Sequence, residues 1–232
     1  MNEAGSIFVT CNNMLKVHRF TFNPFQENTY VIWDDELKEC AIIDPGCCNT
    51  QEQNELANFI KQGKLKPVYI INTHAHIDHV LGNDFVHREY GLSPQLHHDD
   101  LQLLEALVYS STFYGVNATA SPKPEVFLKD NDIVKLGNAE LKVLFAPGHS
   151  PGSVCFYSAE DKIVWGGDVL FRGSIGRTDL PGGDFDTLAN SIHTKLFTLP
   201  DDVTVYSGHG EATTIGYEKK YNPFVGELAE RG

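Results

Sequence analysis

The chain has 232 residues, 41% of them hydrophobic, and a formal charge of −13 from 18 basic and 31 acidic side chains. That length can bury a substantial core in one large domain or two small ones, the composition is that of a folded chain, and the acidity weighs against a nucleic-acid-binding surface. No apolar run approaches the ~18 residues a membrane helix needs, residues 1–6 lack the positive stretch of a secretory signal, and five cysteines, with no C-x-x-C, do not read as a disulfide framework.

The expected compartment is therefore a reducing cytoplasm, with no membrane partner. The first thirteen residues fit no pattern, so a single domain is expected over 14–232, behind an N-terminal extension of 1–13. Strands are predicted at 16–22, 29–33 and 41–43, with Asp34-Asp35-Glu36 as the turn between the second and third. Asp44-Pro45-Gly46 stops the third. Asn49 or Thr50 caps a helix over 51–62 that places Leu56, Phe59 and Ile60 on one face and is followed by Gly63. A short buried strand is expected at 68–72, then a helix over 79–90 capped by Asp78 and closed at Gly91. Asp99 or Asp100 starts another helix through Leu107. Residues 110–124, rich in Ser, Thr and Pro, read as a surface loop or lid. Strands follow at 126–128, 132–136, 140–145, 153–158 and 162–166, a helix at 185–197, and a strand at 203–206. Two strand-rich halves that each carry helices fit two packed sheets with helices outside.

The chemistry concentrates at Thr73 to His79, which reads T-H-A-H-I-D-H directly after the apolar run 68–71. His74, His76, Asp78 and His79 are four ligand-type side chains in six positions. Packed so closely they compete for protons and hydrogen bonds, and a bound cation resolves that competition. Imidazole with carboxylate suits zinc or iron. Three later segments share the same grammar of apolar run, small-residue turn and ligand: 141–145 leads to His149, 163–165 to Asp168, and 203–206 to His209. Five histidines and two aspartates are enough for two metal ions. His18, His87, His97, His98 and His193 lack this context and read as ordinary residues, as do the adjacent Cys47 and Cys48.

The ordered set H-x-H-x-D-H, G-H, G-D and G-H-G over residues 74–209 resembles the metallo-β-lactamase superfamily. The resemblance implies an α+β fold, an αββα sandwich of two mixed sheets with helices on the outer faces. It implies His74, His76 and His149 on a first metal, Asp78, His79 and His209 on a second, and Asp168 bridging both. Two divalent ions are expected, zinc first, with iron or manganese open. Such a pair supplies a bridging hydroxide near neutral pH and polarises a scissile carbonyl, with Asp78 and Asp168 as the catalytic carboxylates.

Within the superfamily, three stretches resemble the short, single-domain glyoxalase II-like (hydroxyacylglutathione hydrolase-like) proteins: 22–30, 171–179, and 208–216 with Asn222-Pro223-Phe224. The resemblance implies that Arg177 meets a substrate carboxylate, which an arginine holds in a two-point fork. Full-length glyoxalase II adds a C-terminal helical domain with basic residues for glutathione. Here about two dozen residues follow His209, and Lys219 or Lys220 is the expected replacement. The expected activity is hydrolysis of a small anionic thioester such as S-lactoylglutathione. One alternative is a mono-iron persulfide dioxygenase, whose turn resembles 172–179 but whose last histidine segment reads A-H-D rather than G-H-G. A non-catalytic metal scaffold is the other, and it would be marked by a missing ligand; none of the seven is missing.

Overall fold

The computed structural model describes residues 15–227 and Ala229; the 1–13 extension and a domain start at Met14 lie outside the described residues. The first sheet is built from β1 (Lys16–Phe22), β2 (Glu27–Trp33), β3 (Glu39–Ile43), β4 (Lys66–Ile71), β5 (Pro94–His97) and β6 (Val126–Leu128), side by side in that order. β1, β2 and β3 pair antiparallel and the rest parallel. The second sheet uses β7 (Ile133–Leu136), β8 (Ala139–Phe145), β9 (Val154–Ser158), β10 (Ile163–Gly167), β13 (Thr204–Ser207) and β14 (Thr213–Thr214), in the order β14-β13-β10-β9-β8-β7. Only β10 and β13 run parallel there, so both sheets are mixed. A small hairpin of β11 (Leu170–Phe171) and β12 (Ser174–Ile175) follows β10.

Side-chain alternation along the strands assigns the layers. Tyr30, Ile32, Ala41, Ile43 and Ile71 from one sheet meet Leu141, Val143, Val154, Phe156 and Trp165 from the other in a central core. The opposite faces are covered as well. Val31, Cys40, Ile42 and Ile70 pack on Leu56 and Ile60 of α1 (Thr50–Gly63) and on Val86 of α3 (Asn83–Tyr90). Leu144, Cys155, Val164 and Val205 pack on Leu188 of α6 (Phe185–Ser191) and on Ile192 and Leu196 of the π-helical turn that extends it. Strands buried on both faces read as continuous apolar runs. The result is the expected helix–sheet–sheet–helix sandwich.

Asn49 caps α1 through its side-chain oxygen, which accepts from the Gln51 and Glu52 amides. Three segments differ from the sequence expectation. The helix predicted over 79–90 is two pieces, α2 (Ile77–Val80) and α3, because the Gly82 amide leaves the helix to donate to Pro45 O at 2.7 Å. Asp78 therefore lies in the first turn of α2 and is not its cap, which is His76. The helix expected from Asp99 or Asp100 is a 3-10 turn (His98–Asp100) followed by α4 (Leu101–Glu105) and α5 (Leu107–Tyr114), with Asp100 turned inward and buried. α5 also occupies the first part of the expected 110–124 loop. α7 (Ile215–Tyr221), β5 and β14 were not foreseen. They are short, and β5 begins with a proline.

Candidate metal centre

β8 and β10 are both antiparallel to β9, and β10 is parallel to β13, so β8, β10 and β13 all end at the same edge of the second sheet. His149, Asp168 and His209 follow those three ends. The first sheet delivers the 73–79 turn to the same edge, where Thr73 O accepts from the Val154 amide at 2.8 Å. Residues separated by 135 positions in sequence thus meet because four strand ends coincide.

Two triads result. His74, His76 and His149 place one donor atom each within 4.8 Å of the others, and so do Asp78, His79 and His209. In the first, His149 Nε2 lies 2.8 Å from His76 Nδ1 and 3.2 Å from His74 Nε2. In the second, His209 Nε2 and His79 Nε2 lie 3.1 Å and 3.6 Å from Asp78 Oδ2. Asp168 stands between them. Its Oδ2 is 3.5 Å from both His149 Nε2 and His209 Nε2, and its Oδ1 is 3.4 Å from His79 Nε2. The backbone at Gly208 passes so close that a Cβ there would lie 2.2 Å from Asp168 Oδ1, which leaves glycine as the residue that fits.

The outward nitrogens show how the rings are held. His149 Nδ1 donates to Arg177 O at 2.8 Å and His209 Nδ1 to Gln26 O at 3.2 Å. His79 Nδ1 donates to Asp44 Oδ2 at 3.1 Å. Thr73 Oγ1 donates to the same carboxylate and so accepts from His74 Nδ1 at 3.1 Å. With that hydrogen on the outer nitrogen, the inner nitrogen of each of these four rings is the one that faces the centre. Partners of this kind fix the tautomer and orientation of metal-binding histidines.

Burial and the neighbouring imidazoles push His74 well below the usual histidine range, and burial with His149 pushes His76 down to about 4. These rings stay neutral at ordinary pH. Burial alone would lower His79 and His209, but Asp168 and Asp78 hold both above the ordinary value. Burial would likewise raise Asp78 and Asp168, and the facing histidines pull both down. His74 and His76 are neutral imidazoles and Asp78 and Asp168 ionised carboxylates, and a cation there would take the place of the protons that His79 and His209 hold against the two carboxylates. His79 Nε2 and Asp168 Oδ1 are buried without a hydrogen-bond partner among the described residues. Converging lone pairs and orphaned buried acceptors are costly in a protein interior and are satisfied by cations. The residues present fit two divalent ions.

The centre floors a cavity of about 420 Å³ walled by Phe25, Ile77, Tyr114, Phe171, Ile175 and Leu180. Phe25 and Tyr114 meet edge to face at 5.5 Å. Arg177 lines this cavity, and its guanidinium already forks onto Asp179, with Nε and Nη2 each 2.7 Å from a carboxylate oxygen. Lys219 is not brought to the cavity: its ammonium donates to Leu199 O and Asp201 Oδ1 beside a different hollow. Lys220 sits over the ring of Tyr221. Sequence reasoning missed Asp44, read only as a strand stop, and the aromatic wall of Phe25, Tyr114 and Phe171. No spacing rule links Asp44 to Thr73 and His79, 29 and 35 residues away.

Known proteins resemble the chain over most of its length. A family model described as the metallo-beta-lactamase superfamily matches residues 22–209. The hydroxyacylglutathione hydrolase GloC of Haemophilus influenzae is 40% identical over 203 residues, 87% of this chain and 93% of that protein. Among solved structures, the BLEG-1 B3 metallo-beta-lactamase superposes with a TM-score of 0.82 at 38% identity, covering 91% of this chain and 99% of that one. TTHA1623 in a di-iron-bound form superposes with a TM-score of 0.80 at 38% identity, covering 90% and 100%.

Proposed function

The chain belongs to the metallo-beta-lactamase superfamily, and from that premise we propose that it is a dinuclear metallohydrolase cleaving a small anionic thioester of the S-lactoylglutathione kind. The observation that carries the reading is the carboxylate of Asp168 standing between two complete triads. A mono-iron centre uses only one set of ligands, two histidines and a carboxylate in the usual non-heme arrangement, and the remaining metal-type side chains would then have no partner ion. GloC, a relative of nearly the same length, supports the thioester as substrate. TTHA1623, solved in a di-iron-bound form, supports two ions and keeps iron open beside zinc. The four described cysteines, Cys40, Cys47, Cys48 and Cys155, are free, in keeping with a reducing cytoplasm, and no described helix is long and apolar enough to cross a membrane.

His74, His76 and His149 would hold one ion and Asp78, His79 and His209 the other, with Asp168 shared. Bound there, two ions make a nucleophile from water near neutral pH and polarise a carbonyl. The protein's part is to orient and to exclude water. Asp44 and Thr73 keep the outer hydrogens on His79 and His74, and Arg177 O keeps that of His149. Ile77, Phe171 and Leu180 present an apolar wall for the acyl group, and Arg177 gives the cavity rim a cation for the thiol half.

The test is metal content of protein purified without added metal, together with thiol release from S-lactoylglutathione. Two ions per chain with thiol release support the proposal. One iron with oxygen uptake on glutathione persulfide would replace it with the dioxygenase. Turnover of nitrocefin without thiol release would move the substrate to a lactam.

A further inference from the structure

Asp100 is buried, distant in sequence from every residue of the two triads, and unused by the chemistry above. Its Oδ2 accepts from the Ala75 amide and from Ser150 Oγ, both at 2.8 Å, and its Oδ1 accepts from the Gly152 amide at 2.6 Å. Ala75 is the residue between His74 and His76. Ser150 follows His149. One carboxylate from the first sheet's β5–α4 connection therefore grips the backbone of both turns that carry the first triad. Ser150 is secured further by Ser153, whose Oγ accepts from the Ser150 amide at 3.2 Å and lies 2.8 Å from Ser150 Oγ. The closure leaves no room: a Cβ on Gly152 would lie 2.7 Å from the Asp100 amide nitrogen and 2.8 Å from its Cβ. The second triad has no bond to this clamp. Its outer nitrogens rest on Asp44 and Gln26.

We propose that Asp100 is a positioning residue that sets the spacing of His74 and His76 against His149, and with it the affinity of one of the two metal positions. This rests on the dinuclear reading of the centre. The physical basis is acceptor count. A carboxylate can receive three donors on two oxygens, and bonds to an ionised acceptor are short and strong. An asparagine has one oxygen. It can serve Gly152, or the pair Ala75 and Ser150, and its amide group then faces a donor on the other side. At least one of the two turns is released, and histidines that converge from different sheets no longer meet at a fixed distance.

The experiment titrates metal-free wild-type and Asp100→Asn protein with zinc against a chromophoric chelator, and uses His149→Ala and His209→Ala to mark the two positions. The expected result is that Asp100→Asn keeps one ion at wild-type affinity and weakens the other about tenfold or more, as supporting partners of ligands typically do. The weakened position is the one His149→Ala loses. A purely structural Asp100 would lower Tm and leave both affinities at wild type, and that result overturns the proposal, as does equal weakening at both positions. If Asp100→Asn does not fold, Ser150→Ala removes one arm of the clamp; a smaller loss at the same position supports the proposal and two wild-type affinities overturn it. Wild-type protein that takes up fewer than two zinc ions sinks the dinuclear reading and the clamp with it, whereas two ions bound at wild-type affinity by both proteins sink the clamp alone.

Discussion

At the scale of single residues, Asp168 carries the most. Its carboxylate lies within 3.5 Å of members of both triads. Asp168→Ala is expected to lose bound metal and to cut thiol release more than about 100-fold, beyond the range typical of supporting partners. A variant that keeps two ions and full turnover would remove Asp168 from the centre. Arg177 and Asp179 make a second, opposite pair of predictions. Both side chains are exposed, so their ion pair is weak, and a substrate carboxylate need only displace Asp179. Arg177→Ala is expected to raise KM for S-lactoylglutathione about two- to fivefold, and Asp179→Asn to lower it, with kcat little changed in either. Neutral thioesters should show neither effect, and equal shifts for neutral and anionic thioesters would take Arg177 out of substrate recognition. The seven metal-type residues were legible in the sequence because four of them crowd into six positions directly after an apolar run and the other three each follow an apolar run through a small-residue turn. Asp44 and Asp100 were not, since each works through a carboxylate whose partners lie tens of residues away.

Among the elements, the turns decide how well the sheets hold together. Asp34 closes the β2–β3 turn, where its Oδ1 accepts from the Glu36 and Leu37 amides at 2.8 and 2.9 Å, and its Oδ2 reaches the Asn138 amide of the β7–β8 turn at 2.8 Å. It thus ties the first sheet to the second. Burial would raise this carboxyl, but the three amides hold it below the ordinary aspartate value. A depressed folded-state pKa gives stability that is present above the unfolded pKa of about 3.9 and is lost as pH falls through the folded one. Asp34→Asn is expected to lower Tm of the metal-free protein at pH 7 by about 2–4 °C, the shift from about 1 kcal/mol in a chain of this size. The gap should close as pH drops below about 4. A gap that persists unchanged at pH 3 would show that the charge on Asp34 is not what the turn uses. Element identity was readable wherever the apolar period was long, as in β1 and α1. The break between α2 and α3 was not, because it depends on Pro45 O, an acceptor from another loop.

For the molecule as a whole, the metal centre joins four strand ends from two sheets, so occupancy and stability are linked. A ligand that binds only the folded state stabilises it by about 2.7 kcal/mol at a hundred times its Kd. Prolonged chelation is expected to lower Tm by several degrees and to abolish thiol release, with zinc, iron or manganese restoring both to different extents. An unchanged Tm after proven metal removal would mean that the edge is held by its own hydrogen bonds. The amino-acid order by itself determined the family, the layered α+β class and the inventory of metal-type side chains, because these reside in short motifs and in apolar periodicity, which are local properties of the chain. Only the tertiary structure decided that Asp44 holds Thr73 and His79, that Asp100 accepts from both turns of the first triad, that Asp179 already occupies Arg177, and that Lys219 points elsewhere. The Asp44 and Asp100 contacts join residues 25 to 52 positions apart, so they depend on which strand ends and turns the packing brings together, and the last two depend on which way a surface side chain turns.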